Sequence, residues 1–333
     1  MQHSQRLDFI RTHLKILPGT VNSVATIAEP AAHRRTANFS AYAWGVLAWN
    51  FFVILWGAYV RASGSGAGCG NHWPLCNGEV VPQNPQIATF IEFTHRITSA
   101  AALLAVIALA GWSISLFPKE HRARRAAILS VVFLMFEALL GAGLVLLQFV
   151  GNDASTGRAF YLSLHLVNTQ FLLASLALTA WFSRDVSQSR LRLSPAVAGT
   201  LPAAILVSVT GVIAALGDTL YPASSLAEGI RQDVSSATSF LVRLRVAHPV
   251  MAVLVAAYFV SVAVTIIRAK SNPLKARIAL YVLVLTVAQL CAGAINLVLL
   301  APIFMQIFHL LFADLVWLAL LLLTVESGSL TSS

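Results

Sequence analysis

The chain has 333 residues, 58% of them hydrophobic and 11% charged, with a formal net charge of +9 and three cysteines. A soluble globular domain carries about 25% charged residues, so this composition excludes one and indicates a membrane protein. The basic residues lie in short segments between apolar runs, which argues against nucleic acid as a partner, and three cysteines are too few to staple a fold of this size.

Residues 1–40 include Arg6, Arg11, Lys15, Arg34 and Arg35 but no apolar core followed by a small-residue cleavage site. They read as a mobile cytoplasmic tail, not a signal peptide. Eight apolar stretches follow, each near the twenty residues that cross a roughly 30 Å hydrocarbon core at about 1.5 Å per residue. They are 41–62, 92–116, 126–149, 159–182, 196–217, 242–267, 277–300 and 303–325. Ala301-Pro302 separates the last two, and proline there ends the helix and predicts a tight hairpin.

The cations predict the orientation. The tail holds 5 of them. The links after spans two, four and six hold 4 (Lys119, Arg122, Arg124, Arg125), 3 (Arg184, Arg190, Arg192) and 4 (Arg268, Lys270, Lys275, Arg277), which puts 16 of 22 on one side. Arg61, Arg96, Arg158, Arg231, Arg243 and Arg245 lie on the other. The positive-inside rule then places both termini in the cytoplasm of a bacterial cell, with loops 63–91 and 218–241 facing outward from the inner membrane.

The second half repeats the first. Glu92-Phe93-Thr94-His95-Arg96 on span two matches Arg245-Val246-Ala247-His248-Pro249 on span six. Glu137-Ala138-Leu139-Leu140-Gly141 on span three matches Gln289-Leu290-Cys291-Ala292-Gly293 on span seven, and His165 on span four matches His309 on span eight. Four spans per copy give both copies the same orientation. The expected fold is therefore all-α: two tandem, parallel four-helix bundles, 41–183 and 195–325, related by a pseudo-two-fold axis along the membrane normal.

Five of the nine histidines lie outside the spans: His3, His13, His33, His72 and His121. His95, His165, His248 and His309 each fall near the start of an even-numbered span, at one depth close to the outer surface. A lone histidine there caps a helix or bonds a carbonyl. Four of them, paired by the repeat, suit bis-imidazole ligation of heme from facing helices. Zinc fits less well, since no Cys or carboxylate cluster joins them. Arg61, Arg96, Arg243 and Arg245 share the same level, where guanidinium groups would pair with heme propionates or snorkel to lipid head groups.

The halves differ three residues before the helix-start histidine, with Glu92 in one and Arg245 in the other. Residues three apart share a helix face, so Glu92 is expected beside His95, to move protons or stabilise positive charge; the helix dipole alone would also favour an acid there. This asymmetry suggests one half that does chemistry and one that holds a cofactor. Cys69 and Cys76 in the first outer loop suit either a disulfide or a dithiol relay. Cys291 is expected as a packed small residue. Glu137, Asn168, Asn296 and Asp314 are expected to hydrogen-bond between helices.

Several motifs in order carry a resemblance: Gly57-Ala58-Tyr59-Val60-Arg61-Ala62-Ser63-Gly64-Ser65-Gly66, Cys69…Trp73-Pro74-Leu75-Cys76-Asn77-Gly78, Glu92-Phe93-Thr94-His95-Arg96, Thr210-Gly211…Ala215-Leu216-Gly217-Asp218, His248-Pro249 and His309-Leu310…Ala313-Asp314…Trp317. Over residues 41–325 the chain resembles the heme A synthase family. The resemblance implies an oxidoreductase that converts the C8 methyl group of heme O to the formyl group of heme A for terminal oxidases. It implies that His248 and His309 ligate a heme b cofactor, that His95 and His165 face the substrate heme, and that Glu92 is the essential acid. It also implies a Cys69–Cys76 disulfide tied to electron delivery, and the farnesyltransferase that makes heme O as a partner. Glu137 departs from the pattern, where an amide like Gln289 is expected. A diheme b-type cytochrome that only carries electrons is the alternative, and it leaves the Glu92/Arg245 asymmetry without a purpose. A transporter would bind no heme.

Overall fold

A computed structural model describes residues 18–184, 195–235, 240–270 and 272–328, and the regular elements among them are helical. Eight helices are long and apolar enough to cross a membrane, so the chain is a multi-pass membrane protein. They are α1 (Pro18–Ala62), α2 (Ile87–Leu116), α3 (Arg122–Leu146), α4 (Thr156–Phe182), α5 (Thr200–Leu220), α6 (Ala247–Ala269), α7 (Pro273–Val298) and α8 (Ile303–Gly328). Short helices Leu226–Val234 and Phe240–Arg245 lie in the connection between α5 and α6. His3, His13, Arg6, Arg11, Lys15, Arg190 and Arg192 lie outside the described residues, as does the His33 side chain.

The first span starts earlier than its hydropathy suggested. Its membrane-spanning part begins at Arg34, and the helix itself at Pro18, so part of the expected tail is helical. The reason is packing. Phe39 is fully buried and meets Trp112 and Phe117 edge-on at centroid distances of 5.6 and 5.1 Å, and Tyr42 Oη donates to the Ala105 carbonyl at 3.0 Å. An aromatic cluster of this kind adds dispersion and quadrupole attraction beyond the area it buries.

Within the first half, α1 touches α2 and α4, and α3 touches both α2 and α4. Within the second, α5 touches α6 and α8, and α7 touches both α6 and α8. The two sets meet through α4 with α5, and through α8 with α1 and α4. At this seam the Trp317 indole N–H donates to the Gln170 carbonyl and the Gln170 amide to Ser208 Oγ, both at 2.8 Å. These bonds tie α8, α4 and α5 in a medium with no water to substitute for them.

The turns that follow α3 and α7 are nearly superposable in their bonding. Leu147, Gln148 and Phe149 donate their N–H groups to Gly143, Val145 and Leu144 at 2.9, 3.1 and 2.8 Å. Leu299, Leu300 and Ala301 donate to Ile295, Leu297 and Asn296 at 2.9, 3.1 and 2.7 Å. Each turn uses a non-glycine residue at positive φ, Gln148 at 57° and Leu300 at 61°, to satisfy carbonyls that a helix end leaves bare.

Packing is uneven along the membrane normal. The main core, which includes Leu109, Leu172, Leu173, Leu176, Leu320 and Leu323, fills the end away from the two long loops. At the loop end the described residues form only a small buried cluster of Ala159, Leu216 and Leu241. The four span histidines lie in that looser end.

Candidate functional site

Each span histidine meets a glycine on the helix before it. A Cβ at Gly57 of α1 would stand 2.9 Å from His95 Cε1, and one at Gly211 of α5 would stand 3.0 Å from His248 Cε1. At Gly293 of α7 it would stand 2.9 Å from His309 Cε1, and at Gly141 of α3 it would stand 3.8 Å from His165 Nε2. Glycine is unfavourable inside a helix by roughly 1 kcal/mol against alanine. Three of these four exist because the ring fills the space a side chain would take. Sequence reasoning assigned these glycines no role; their signal was glycine in the odd-numbered span that precedes each histidine.

In the second half the His248 and His309 rings face each other with centroids 6.2 Å apart and planes at 82°. Thr210 Oγ1 lies 3.1 Å from His248 Nδ1, and the Gln289 amide nitrogen 3.3 Å from His309 Nε2. Buried His309 Nδ1 has no hydrogen-bond partner.

In the first half, buried His95 Nδ1 and His165 Nδ1 are also without a hydrogen-bond partner. His165 Nδ1 is 2.9 Å from Glu137 Oε1. Glu92 is buried, and both of its oxygens are occupied. Oε1 accepts from Arg96 Nη2 at 2.5 Å and from Nε at 3.2 Å, and Oε2 accepts from the Cys69 backbone N–H at 2.8 Å. Cys69 and Cys76 form a disulfide, with both residues buried. Gly68 allows this approach: a Cβ there would lie 2.4 Å from the backbone of Ala88, at the first turn of α2.

A family model described as cytochrome oxidase assembly protein (COX15-CtaA) matches residues 40–321. The chain belongs to this family. A Thermus thermophilus protein named protoheme IX farnesyltransferase is 47% identical over 87% of this chain and 48% of its own length. Proteins named heme A synthase are 42% identical over 38% of the chain in Halalkalibacterium halodurans (41% of that protein) and 32% identical over 48% in an Exiguobacterium species (52% of that protein). The chain thus spans about half the length of the curated relatives it matches.

For this family member, the fit to heme can be tested on the histidines themselves. Metal–imidazole bonds of about 2 Å on each side of one ion bring two ring centroids to roughly 6 Å, close to the 6.2 Å of His248 and His309. Buried ring nitrogens without partners are costly unless a ligand completes them. No group of three His, Cys, Asp or Glu side chains able to hold a metal ion occurs among the described residues.

Of the four arginines expected at this level, Arg61, Arg96 and Arg245 have protein partners. Arg61 crosses to the other half, donating to the Ala215 carbonyl (3.0 Å), Thr219 Oγ1 (2.9 Å) and Gln306 Oε1 (2.8 Å). Arg96 donates through Nη1 to the loop carbonyls of His72 and Leu75 at 2.8 and 2.6 Å, besides its pairing with Glu92. Arg245 pairs with Asp233 at 2.6 Å and Asp218 at 3.1 Å. Arg243 is exposed. In the second outer loop Ser225 caps its helix by accepting from the Glu228 N–H at 3.2 Å. Ser224 donates its hydroxyl and its N–H to Glu228, which holds that carboxyl below its ordinary range.

Two expectations change. Cys291 is exposed on α7 instead of packed, because it lies on the lipid-facing side of that helix. Asp314 is buried on α8 with Oδ2 lacking any hydrogen-bond partner, so it does not bond between helices there as expected; nor does Asn296 Oδ1. Asn168 and Glu137 do bond across α3 and α4.

Proposed function

We propose that this protein is a heme A synthase, oxidising the C8 methyl group of heme O to a formyl group. The observation that carries this reading is the facing pair His248 and His309, set against glycines in the loosely packed end of a chain whose family includes named heme A synthases. His248 and His309, in the C-terminal half 195–325, hold a heme b, which supplies electron transfer when bound. His95 and His165, in the N-terminal half 41–183, orient the substrate.

Glu92 stands one turn before His95 on α2, beside the disulfide loop. From there it stabilises positive charge developing on the substrate, or takes a proton from it. The Arg96 pair and the Cys69 amide hold it still, so the disulfide loop acts as the support of the acid. Arg61, Arg96, Arg243 and Arg245 stand where propionates would emerge. Three of them reach carboxylates only by exchanging present partners, whereas Arg243 already faces outward.

Both termini are assigned to the cytoplasm, with the long loops outside a bacterial inner membrane, because the Lys and Arg bias favours it. The heme O-producing farnesyltransferase is the natural partner. The Thermus relatives named for that activity are about twice as long as their match to this chain, which suggests that the two steps travel together.

The test is heme extraction from cells supplied with heme O. Wild-type protein should yield heme A and Glu92→Gln should not. An unchanged heme A yield in the variant would remove Glu92 from the chemistry. A wild type that carries only heme b and makes no heme A would favour the electron-carrying cytochrome.

A further inference from the structure

Glu137 sits on α3 opposite His165 of α4, and the roles above make no use of it. Its carboxylate is fully engaged. Thr169 Oγ1 donates to Oε1, Asn168 Nδ2 donates to Oε2 at 2.6 Å, and His165 Nδ1 lies 2.9 Å from Oε1. Asn168 is itself held, since the same amide nitrogen donates to the Phe133 carbonyl at 2.9 Å. An ionised carboxylate only accepts hydrogen bonds. Thr169 and Asn168 donate to it, and His165 Nδ1 stands at ion-pair distance from the same carboxylate without completing an aligned hydrogen bond.

The equivalent position in the second half is Gln289, and its geometry differs. Its amide nitrogen lies 3.3 Å from His309 Nε2, the other ring nitrogen, while His309 Nδ1 and Gln289 Oε1 are buried without partners. The first half therefore sets a carboxylate 2.9 Å from the Nδ1 of its histidine, and the second half sets a neutral amide beside the Nε2 of its own.

We propose that Glu137 is a positioning residue for the heme in the first half. Its carboxylate, 2.9 Å from Nδ1, orients the His165 ring and would make Nε2 a stronger donor to iron than the corresponding nitrogen of His309. A carboxylate behind a metal-bound imidazole raises ligand basicity, and losing such a partner weakens metal binding about 10–100-fold. A stronger donor favours ferric over ferrous iron, so the first-half heme has the lower reduction potential. One Glu/Gln difference at matching positions thus sets the two halves apart. This inference rests on His165 being a heme ligand.

The experiment titrates the purified full-length protein with hemin and then measures the midpoint potential of each site by redox titration of its visible bands. In Glu137→Gln the first site should bind hemin about 10–100-fold more weakly, with its potential raised and the second site unchanged. Gln289→Glu should lower the potential of the second site. Thr169→Val, which keeps the carboxylate and its His165 contact, should leave both potentials in place. His165→Ala separates the two levels of the argument. If it removes hemin from the first site while Glu137→Gln and Gln289→Glu leave both potentials unchanged, the ligand stands and the role of Glu137 falls. If His165→Ala retains both sites as in wild type, the ligand assignment falls and the proposal with it.

Discussion

The two halves set their histidines against glycine in the same way but surround them with different chemistry. In the second half, His248 and His309 face each other beside Thr210 and Gln289, a hydroxyl and an amide, both neutral. Arginine at that level is already matched to two aspartates. In the first half, carboxylates flank both histidines: Glu137 touches His165, and Glu92 stands one turn before His95, bound to Arg96 and to the disulfide loop. A neutral surround suits a site that holds one group permanently. Charged groups anchored from two directions suit a site where charge appears and disappears during a reaction, since preorganised dipoles need no rearrangement when it does. The halves share glycine-backed histidines, and carboxylates beside the histidines in the first half set them apart.

The comparison can be broken most severely at a histidine. His248→Ala should abolish bound heme in the second half, read as loss of its share of Soret absorbance in purified protein, while the first half still takes up hemin. Equal losses from both halves would mean that they are not separate sites. Next in size, Glu92→Gln should lower heme A production about 10²–10³-fold, the range for removing one preorganised electrostatic group. Heme bound at His248 and His309 should remain at the wild-type level. A parallel fall in bound heme would reduce Glu92 to a structural role.

The glycine cradles sharpen the comparison because they are local. Gly57→Val places a side chain where the His95 ring lies, and Gly293→Val does the same at His309. Overpacking of this kind costs about 1–3 kcal/mol. Spectra should show each substitution disturbing heme only in its own half. Arg61→Met probes the junction, since it removes three hydrogen bonds from α1 to α5 and α8. A loss of about 2 kcal/mol is expected, visible as a lower unfolding temperature in detergent.

The smallest effect lies at the surface of the second loop. Ser224 depresses the Glu228 carboxyl. The interaction is therefore fully present above the ordinary carboxylate pKa and is lost as pH falls through the lower folded value. Hydrogen exchange across 224–234 should lose protection on acidification. Ser224→Ala should weaken that pH dependence, while the Ser224 backbone N–H and Gln232 keep part of it.

Eight spans were legible in the sequence because the bilayer demands length and apolarity, two properties that need no knowledge of neighbours. The matched spacing of Glu137 and Gln289, or His95 and His248, was legible for a similar reason, since it holds along the chain whatever they touch. The candidate histidines stood out because ionisable groups are rare at such depth. The start of α1 was missed because Phe39 is buried by Trp112 and Phe117, residues more than seventy positions away.

Side-chain partners are a different matter. That Arg96 turns back onto Glu92 and two loop carbonyls, that Arg61 spans the seam, and that Cys291 faces outward all depend on which helix faces lie together. Glu137 shows the division most clearly. In the sequence it was an acid where an amide was expected; folded, it lies 2.9 Å from the ring of His165. Sequence by itself determined how many helices cross, how the copies repeat and which residue types are available, because those follow from hydrophobic length and local spacing. Only the tertiary structure decided which donor meets which acceptor, because a hydrogen bond in a medium without water is satisfied by geometry across helices far apart in the chain.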